Sequence, residues 1–439
     1  MLTTNRLILS VNNTRLPPVY PYSLLVANAG LLKGLFPGIP IIQASCYCRR
    51  PLICRKNMRN YCVALLLLLA AGACRKKDSG DTVPVPSQDT ARITQQITVL
   101  LNEVRIPGIA VAVVGPEGII WSQTAGMADV EKKIPITAKT VFKLGSMAKP
   151  FIAFSVMQLV QSGKLSLDAN VNDYLPFKVS NPKNPGKVIT LQHLLSHSSG
   201  IVDKTYAGLV LEEFIAPEKD HPMTIAAFIR DMLDPAGKYY HPDTFLDDRA
   251  GAVYSYSNVG ATLAAYMVEC VSRESFDTRT TREFIAPLHT TTLVWHLRDY
   301  VSQPFAVPHD SNGQPLGNYS MVDYCTGGLH GNLADMSVFA QLIVNRGVKD
   351  GKEVIAPAIL DAMGKVQYPE VKSTQGLFWE NVPFKNLHIY GHMGDVPGSH
   401  SMLYANPSAK KAVIVLYNGD VKEAQFPEIN KLLNLLLEL

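Results

Sequence analysis

Apolar residues recur at helical spacing between residues 90 and 104, where Ile93, Ile97, Leu100, Leu101 and Val104 share one face and predict an amphipathic helix. The period then shortens. Gly108-Ile-Ala-Val-Ala-Val-Val114 and Gly118-Ile-Ile-Trp-Ser-Gln-Thr124 flank a Gly115-Pro-Glu-Gly118 turn and predict two strands. Near the other end, His400-Ser-Met-Leu-Tyr404 and Lys411-Ala-Val-Ile-Val-Leu-Tyr417 predict a second hairpin around Asn406-Pro407, and residues 426–437 a closing helix. From about residue 150 to 348 the period is mostly helical, with no internal repeat. Strands at both ends and helices between them predict an α/β (α+β) fold: an antiparallel sheet assembled from both chain ends, flanked by helices, plus an inserted mostly helical domain. A cleft between two such lobes is a common place for an active site.

With 439 residues and 47% apolar content the chain can bury a large core. Its charge is unevenly placed. Residues 1–73 hold eight basic side chains (Arg6, Arg15, Lys33, Arg49, Arg50, Arg55, Lys56, Arg59) and no acid. Taking those eight from the 41 Lys+Arg leaves 33 against 37 Asp+Glu, so residues 74–439 carry −4 where the whole chain carries +4. The basic excess therefore belongs to the N-terminal segment and gives no support for a nucleic-acid partner.

That segment contains Met58-Arg-Asn-Tyr-Cys-Val-Ala-Leu-Leu-Leu-Leu-Leu-Ala-Ala-Gly-Ala-Cys74, a basic start, an apolar run too short for a comfortable membrane span, and small residues before a cysteine. Residues 58–74 read as a signal peptide whose end resembles a bacterial lipobox, with Ala71 where leucine is more usual. The expectation is export to the periplasm or cell surface and anchoring to a bacterial membrane through lipid on Cys74. Residues 1–57 read as an over-long gene start or an extension outside the fold, residues 75–89 as a flexible polar tether, and residues 90–439 as the folded domain. Of seven cysteines only Cys270 and Cys325 then remain in the body, too few for a disulfide framework or a zinc site.

Three short motifs carry the chemistry. Ser146-Met-Ala-Lys149 sets a hydroxyl and an amine three residues apart, which on a helix is one turn apart on one face, within reach of a shared proton. If Gly145 turns the chain into that helix, Ser146 lies at its N-terminus, where backbone dipoles favour a developing anion. Tyr256-Ser-Asn258 and His392-Met-Gly394 follow in order. Each motif is weak alone: Ser180-Asn-Pro-Lys183 and Ser408-Ala-Lys-Lys411 repeat the first, and Tyr404-Ala-Asn406 repeats the second.

Their combination and neighbours are more specific. From about residue 89 onward the chain resembles the serine β-lactamase and penicillin-binding protein superfamily, in its class C β-lactamase and D-alanyl-D-alanine carboxypeptidase-like branch. The likeness also includes Ile189-Thr-Leu-Gln-His-Leu-Leu-Ser-His-Ser-Ser-Gly200, Tyr254-Ser-Tyr-Ser-Asn258 and Gly327-Gly-Leu-His-Gly-Asn-Leu-Ala-Asp335. It implies a β-lactamase/transpeptidase-like fold and an acyl-enzyme mechanism. By that resemblance Ser146 is the nucleophile. Lys149 acts as base or holds Tyr256 in its reactive form, Tyr256 moves the proton, and Asn258 donates hydrogen bonds to Lys149 or the substrate amide. The backbone amides of Ser146 and Asp395 form the oxyanion hole, with Gly394 letting the strand approach the substrate. His392-Met-Gly394 departs from the Lys-Thr-Gly usual in class C β-lactamases and shifts the expectation toward a peptidase or esterase.

The expected substrate is a D-amino-acid peptide, with esters and β-lactams as alternatives and no cofactor or metal. His193 and His197 have the spacing of metal ligands on a helix, but no Glu follows His193 as a zinc protease requires, so a helix-end role is expected. The Gly-x-Ser-x-Gly elbow of an α/β-hydrolase and the Glu-x-x-Leu-Asn of class A β-lactamases are both absent. The non-enzyme alternative, a penicillin-binding sensor, would be marked by loss of Ser146, Lys149 or Tyr256, and all three are present.

Overall fold

The computed structural model describes residues 88–299 and 304–439. The expected signal peptide, Cys74 and residues 1–57 lie outside them, as does all of the expected tether but its last two residues, which open the first helix. From the N-terminal side come β1 (Gly108–Gly115), β2 (Gly118–Asp129) and β3 (Ile134–Pro135). A short strand β4 (Val141–Lys143) pairs with β5 (His330–Asn332). The C-terminal side supplies β6 (Glu380–Phe384), β7 (Leu387–Val396), β8 (Ser399–Asn406) and β9 (Lys411–Tyr417). Seven of these form one antiparallel sheet in the order β6-β7-β8-β9-β1-β2-β3.

The two chain ends meet where β1 pairs with β9, in a register running from Ile109 opposite Tyr417 to Val114 opposite Ala412. Both strands are apolar on both faces because both faces are covered. Side chains alternate across a strand, so Ile109, Val111 and Val113 enter one core while Ala110, Ala112 and Val114 enter another. The first core is closed by helix α1 (Gln88–Val99), through Ile93 and Ile97, and by the last helix, Phe426–Glu438, through Ile429, Leu432, Leu433 and Leu436.

The second, larger core continues from the sheet into the helical body. Its main helices are α2 (Lys149–Gln161), α3 (Leu191–Leu195), α4 (Asn258–Ser272) and α5 (Leu333–Val344). The stretch between residues 150 and 348 is less helical than its period suggests, since turns and short coils separate these helices. The β6–β7 hairpin, absent from the sequence reading as a pair of strands, forms the sheet edge nearest the motifs. Cys270 and Cys325 are both free thiols. Among the described residues no helix is long and apolar enough to cross a membrane.

Candidate active site

β4 delivers the chain into a single tight turn at Gly145–Ala148, and α2 starts directly after it with Pro150 in its first turn, where a missing amide costs no helical bond. Ser146 therefore sits in the turn that leads into the helix and Lys149 at the helix start. The approach to this turn is stapled to the sheet. Ser399 Oγ donates to the Lys143 carbonyl at 2.9 Å, and Ser401 Oγ donates to the Leu144 carbonyl at 2.6 Å.

Two glycines let β7 lie against the turn. Gly145 has φ +54°, and a Cβ there would come within 2.8 Å of the Asp395 nitrogen. A Cβ on Gly394 would stand 1.8 Å from the Leu144 carbonyl oxygen. The glycine of His392-x-Gly394 is thus required by the approach of β7 to Leu144, a contact that the expectation of a close approach to substrate did not include. The outcome places the Asp395 amide beside the Ser146 turn.

Ser146, Lys149, Tyr256 and Asn258 come together in one cluster. Lys149 Nζ donates to Ser146 Oγ at 3.0 Å, to Asn258 Oδ1 at 2.7 Å and to the Thr326 carbonyl at 3.2 Å. Tyr256 OH lies 2.8 Å from Ser146 Oγ, and the ammonium sits 4.8 Å from the centre of the Tyr256 ring. Asn258 here accepts from Lys149 through its oxygen, whereas donation to the lysine was one of its expected roles.

The electrostatics follow from burial. Lys149 is completely buried, and desolvation pushes its pKa down to about 8 against the pull of Asp323 and Asp203. Desolvation around the Tyr256 hydroxyl holds that phenol well above its ordinary value, so it is protonated at neutral pH. His392 is driven down to about 3 by burial and then by the Lys149 charge, and is neutral. Its Nδ1 lies 2.5 Å from the Met393 carbonyl, which accepts from it, and its ring centre lies 6.4 Å from that of Tyr256.

Three contributors were not assigned to the site from the sequence, which gave His197 only a helix-end role. Asp203 accepts from Ser257 Oγ at 2.8 Å, Asn258 N at 2.7 Å and Val259 N at 3.1 Å, placing a carboxylate on the first amides of α4. It thereby fixes the turn carrying both Tyr256 and Asn258. His197 stacks on Tyr256 with ring centres 4.2 Å apart, and its Nδ1 accepts from Ser257 N at 3.2 Å. Asp323, buried beneath Thr326, accepts from Thr326 Oγ1 at 2.6 Å and from the Tyr206 hydroxyl at 3.1 Å. Asp203 lies three residues past the Ser-Ser-Gly turn, but nothing in its spacing ties it to Tyr256.

Asp203→Ala removes the two carboxylate oxygens that accept three hydrogen bonds at one helix end. It is expected to cost about 2 kcal/mol of stability and to slow acylation at least about tenfold by loosening Tyr256. Denaturant melts and single-turnover labelling check this; wild-type acylation would take Asp203 out of the site.

The other copies of the motifs are engaged elsewhere. Lys183 pairs with Asp247 at 3.1 Å, Lys411 donates to the Leu439 carbonyl at 2.9 Å, and the Tyr404 hydroxyl donates to Glu380 at 2.6 Å. α3 ends at Leu195 and His197 adopts φ +54°, so His193 and His197 do not share a helix face. Among the described residues no group of three His, Cys, Asp or Glu side chains could hold a metal ion.

The profile of the family described as Beta-lactamase matches residues 93–438. Penicillin-binding protein 4 of Amycolatopsis lactamdurans is 27% identical over 356 residues, covering 78% of this chain and 88% of that protein. Two solved structures are similar in fold. The D-amino acid amidase from Ochrobactrum anthropi SV3 has a TM-score of 0.61 and 19% identity, over 79% of this chain and 98% of its own. The D-alanine carboxypeptidase AmpC from Burkholderia cenocepacia has a TM-score of 0.59 and 19% identity, over 80% and 98%.

Proposed function

The chain belongs to the beta-lactamase family, and from that premise we propose that it is a serine hydrolase that cleaves an amide or ester through an acyl-enzyme on Ser146. The observation that carries the reading is the convergence of Lys149 Nζ and Tyr256 OH on one oxygen, at 3.0 and 2.8 Å. Proton inventory assigns the roles. Of the three groups around Lys149 Nζ, Asn258 Oδ1 and the Thr326 carbonyl can only accept. When Lys149 is neutral its lone pair therefore faces Ser146, the one neighbour with a proton to give.

Lys149 is accordingly the base for acylation, and Tyr256, a protonated phenol, is the acid that reaches the leaving group. As Ser146 Oγ bonds to the carbonyl carbon, its proton passes to Lys149 and the carbonyl oxygen becomes an anion. The amides of Ser146 and Asp395 receive that anion. Collapse expels the leaving group with a proton from Tyr256, which Lys149 restores. Water then repeats the sequence in reverse on the ester.

A D-amino-acid peptide is the proposed substrate class, D-alanyl-D-alanine carboxypeptidase-like or D-peptidase-like. Its support is the D-amino acid amidase and D-alanine carboxypeptidase among proteins of like fold, together with a neutral His392 where class C β-lactamases usually hold a lysine. A neutral imidazole offers no charge to a β-lactam carboxylate. The proposal extends to export and a lipid anchor at Cys74, supported by the pattern from Met58 to Cys74.

The test is intact-mass spectrometry of the protein incubated separately with a fluorescent penicillin, a p-nitrophenyl ester and a D-alanyl-D-alanine peptide. The expected result is a transient adduct on Ser146 and repeated turnover of the peptide. Turnover of the ester alone would make the protein a carboxylesterase. An adduct that stops at one equivalent would replace the hydrolase reading with a penicillin-binding sensor, and no adduct with any probe would replace it with an inactive protein or a sensor that does not react.

A further inference from the structure

β7 presents alternate residues to opposite sides of the sheet. His392, Gly394 and Val396 face the Ser146 turn and the larger core, while Ile389, Met393 and Asp395 face the other way. Asp395 thus contributes its backbone to one side and its carboxylate to the other. On that far side, directly across the β7–β8 pairing, stands His400. His400 Nδ1 is 3.2 Å from Asp395 Oδ1, and His400 Nε2 is 3.0 Å from Asp420 Oδ1. The ring lies flat on Tyr417, with centres 4.7 Å apart and planes at 17°.

We propose that His400, held as an imidazolium between the carboxylates of Asp395 and Asp420, is a positioning residue that fixes the β7–β8 turn and so the Asp395 amide beside Ser146. This rests on the reading of that amide as an oxyanion donor. The charge state follows from geometry. An imidazole with a carboxylate on each nitrogen makes two favourable hydrogen bonds only when both nitrogens carry protons. A neutral ring would turn a lone pair toward one of the two acids.

Each arm of the clamp is tied to backbone that matters. The Asp395 arm belongs to the residue whose amide abuts Gly145. The Asp420 arm also accepts from Gly398 N at 2.7 Å, within the turn between β7 and β8. Tyr319 supports the same turn by donating its hydroxyl to the Pro397 carbonyl at 2.7 Å, and Asp420 N is held by the His309 carbonyl at 2.9 Å. The end of β7 is therefore gripped on one side by Leu144 and Gly145 and on the other by His400.

The groups facing His400 are Asp395 from β7, Asp420 from beyond β9 and the phenol of Tyr417 from β9, with Tyr319 reaching the turn. Burial alone would push the His400 pKa down, but the two carboxylates carry it up to about 10. Burial, and then these carboxylates, hold Tyr319 and Tyr417 well above the ordinary phenol value, so both stay neutral while His400 titrates. The folded-state pKa exceeds the unfolded one. The clamp's stabilisation is thus complete below about 6.5, declines above it, and is gone once pH has risen through about 10.

The experiment combines two readouts on the full-length protein. Without substrate, NMR of 15N-labelled protein follows the His400 ring and the Asp395 amide from pH 5.5 to 10.5. Both ring nitrogens are expected to keep their protons past pH 9, with the Asp395 amide shift titrating in step. With substrate, His400→Gln is expected to lower kcat about ten- to a hundredfold with KM within about twofold, and to abolish the alkaline fall in kcat. Asp420→Asn, which keeps the residue's shape, should move that fall toward lower pH and so test the clamp even if His400→Gln folds poorly.

A His400 that titrates at an ordinary value, an Asp395 amide that ignores it, or a His400→Gln enzyme with wild-type kcat and alkaline limb would overturn the proposal. The two readings separate cleanly. Coupled titration in a protein that acylates nothing would sink the hydrolase reading and leave the clamp. Acylation on Ser146 without coupled titration would sink the clamp alone.

Discussion

Ser146→Ala is expected to form no adduct with the penicillin, ester or peptide probe and to lose turnover by at least about a thousandfold, while Ser180→Ala and Ser408→Ala label as the parent does. The contrast is informative because all three serines precede a lysine at the same spacing. Only Lys149 is on its serine; Lys183 and Lys411 are held by Asp247 and the Leu439 carbonyl. The substitution is gentle on the fold. Ser146 is 7% exposed, and removing its oxygen leaves Lys149 with two of three acceptors. Melting temperature should change little, and intact-mass spectra of the three variants decide the assignment. A persistent adduct in Ser146→Ala would move the nucleophile elsewhere.

Lys149→Met is expected to lower kcat/KM by about three orders of magnitude, since both proton transfer and Ser146 orientation are lost. Stability should move the other way or hardly at all. A lysine pushed down from 10.5 to about 8 is a charge the fold disfavours, so the cost is present below pH 8, where the buried amine is charged, and disappears above the unfolded value. Removing it relieves that cost near neutrality. A loss of activity with equal or higher melting temperature separates a catalytic role from a structural one. The wild-type pH profile gives the sign independently. If neutral Lys149 is the base, kcat/KM rises roughly tenfold per pH unit up to about 8 and then levels until the pH approaches about 10, where the His400 clamp loses its proton. A fall through pH 8 would mean that the ammonium is the working form.

Much of the site was legible as order along the chain. Ser146 and Lys149 are local, one helical turn apart, so their meeting follows from backbone geometry. Tyr256 and Asn258 could be tied to them only through the family likeness, because 110 residues separate Tyr256 from Ser146 and no local rule fixes such a contact. Asp203 and Asp323 were illegible for a different reason. Isolated acids in loops carry no periodicity, and their value appears only when the end of α4 or the Thr326 backbone stands over them. The contact of Gly394 with Leu144 was illegible because sequence shows that a side chain is missing but not which atom fills the space.

The sheet divides in the same way. β1, β9 and the terminal helices were visible because period-2 and period-3.6 patterns are set by which face is buried, a property each segment carries in its own residues. β6 was not, and β7 was legible as a strand only around its His392-x-Gly394 motif, since Gly391, His392, Gly394 and Asp395 interrupt any apolar alternation. The strand conformation of β7 is imposed by pairing with β8 and by packing on Leu144, and that of β6 by pairing with β7.

By itself, then, the sequence determined most of the segments, the proposed nucleophile with its nearby amine and the placement of the basic excess. Only the tertiary structure decided the depressed pKa of Lys149, the neutral His392, the Asp395 amide beside Gly145 and the carboxylates on His400. These depend on desolvation and on distances between segments far apart in the chain, and burial and through-space charge are properties of the assembled fold.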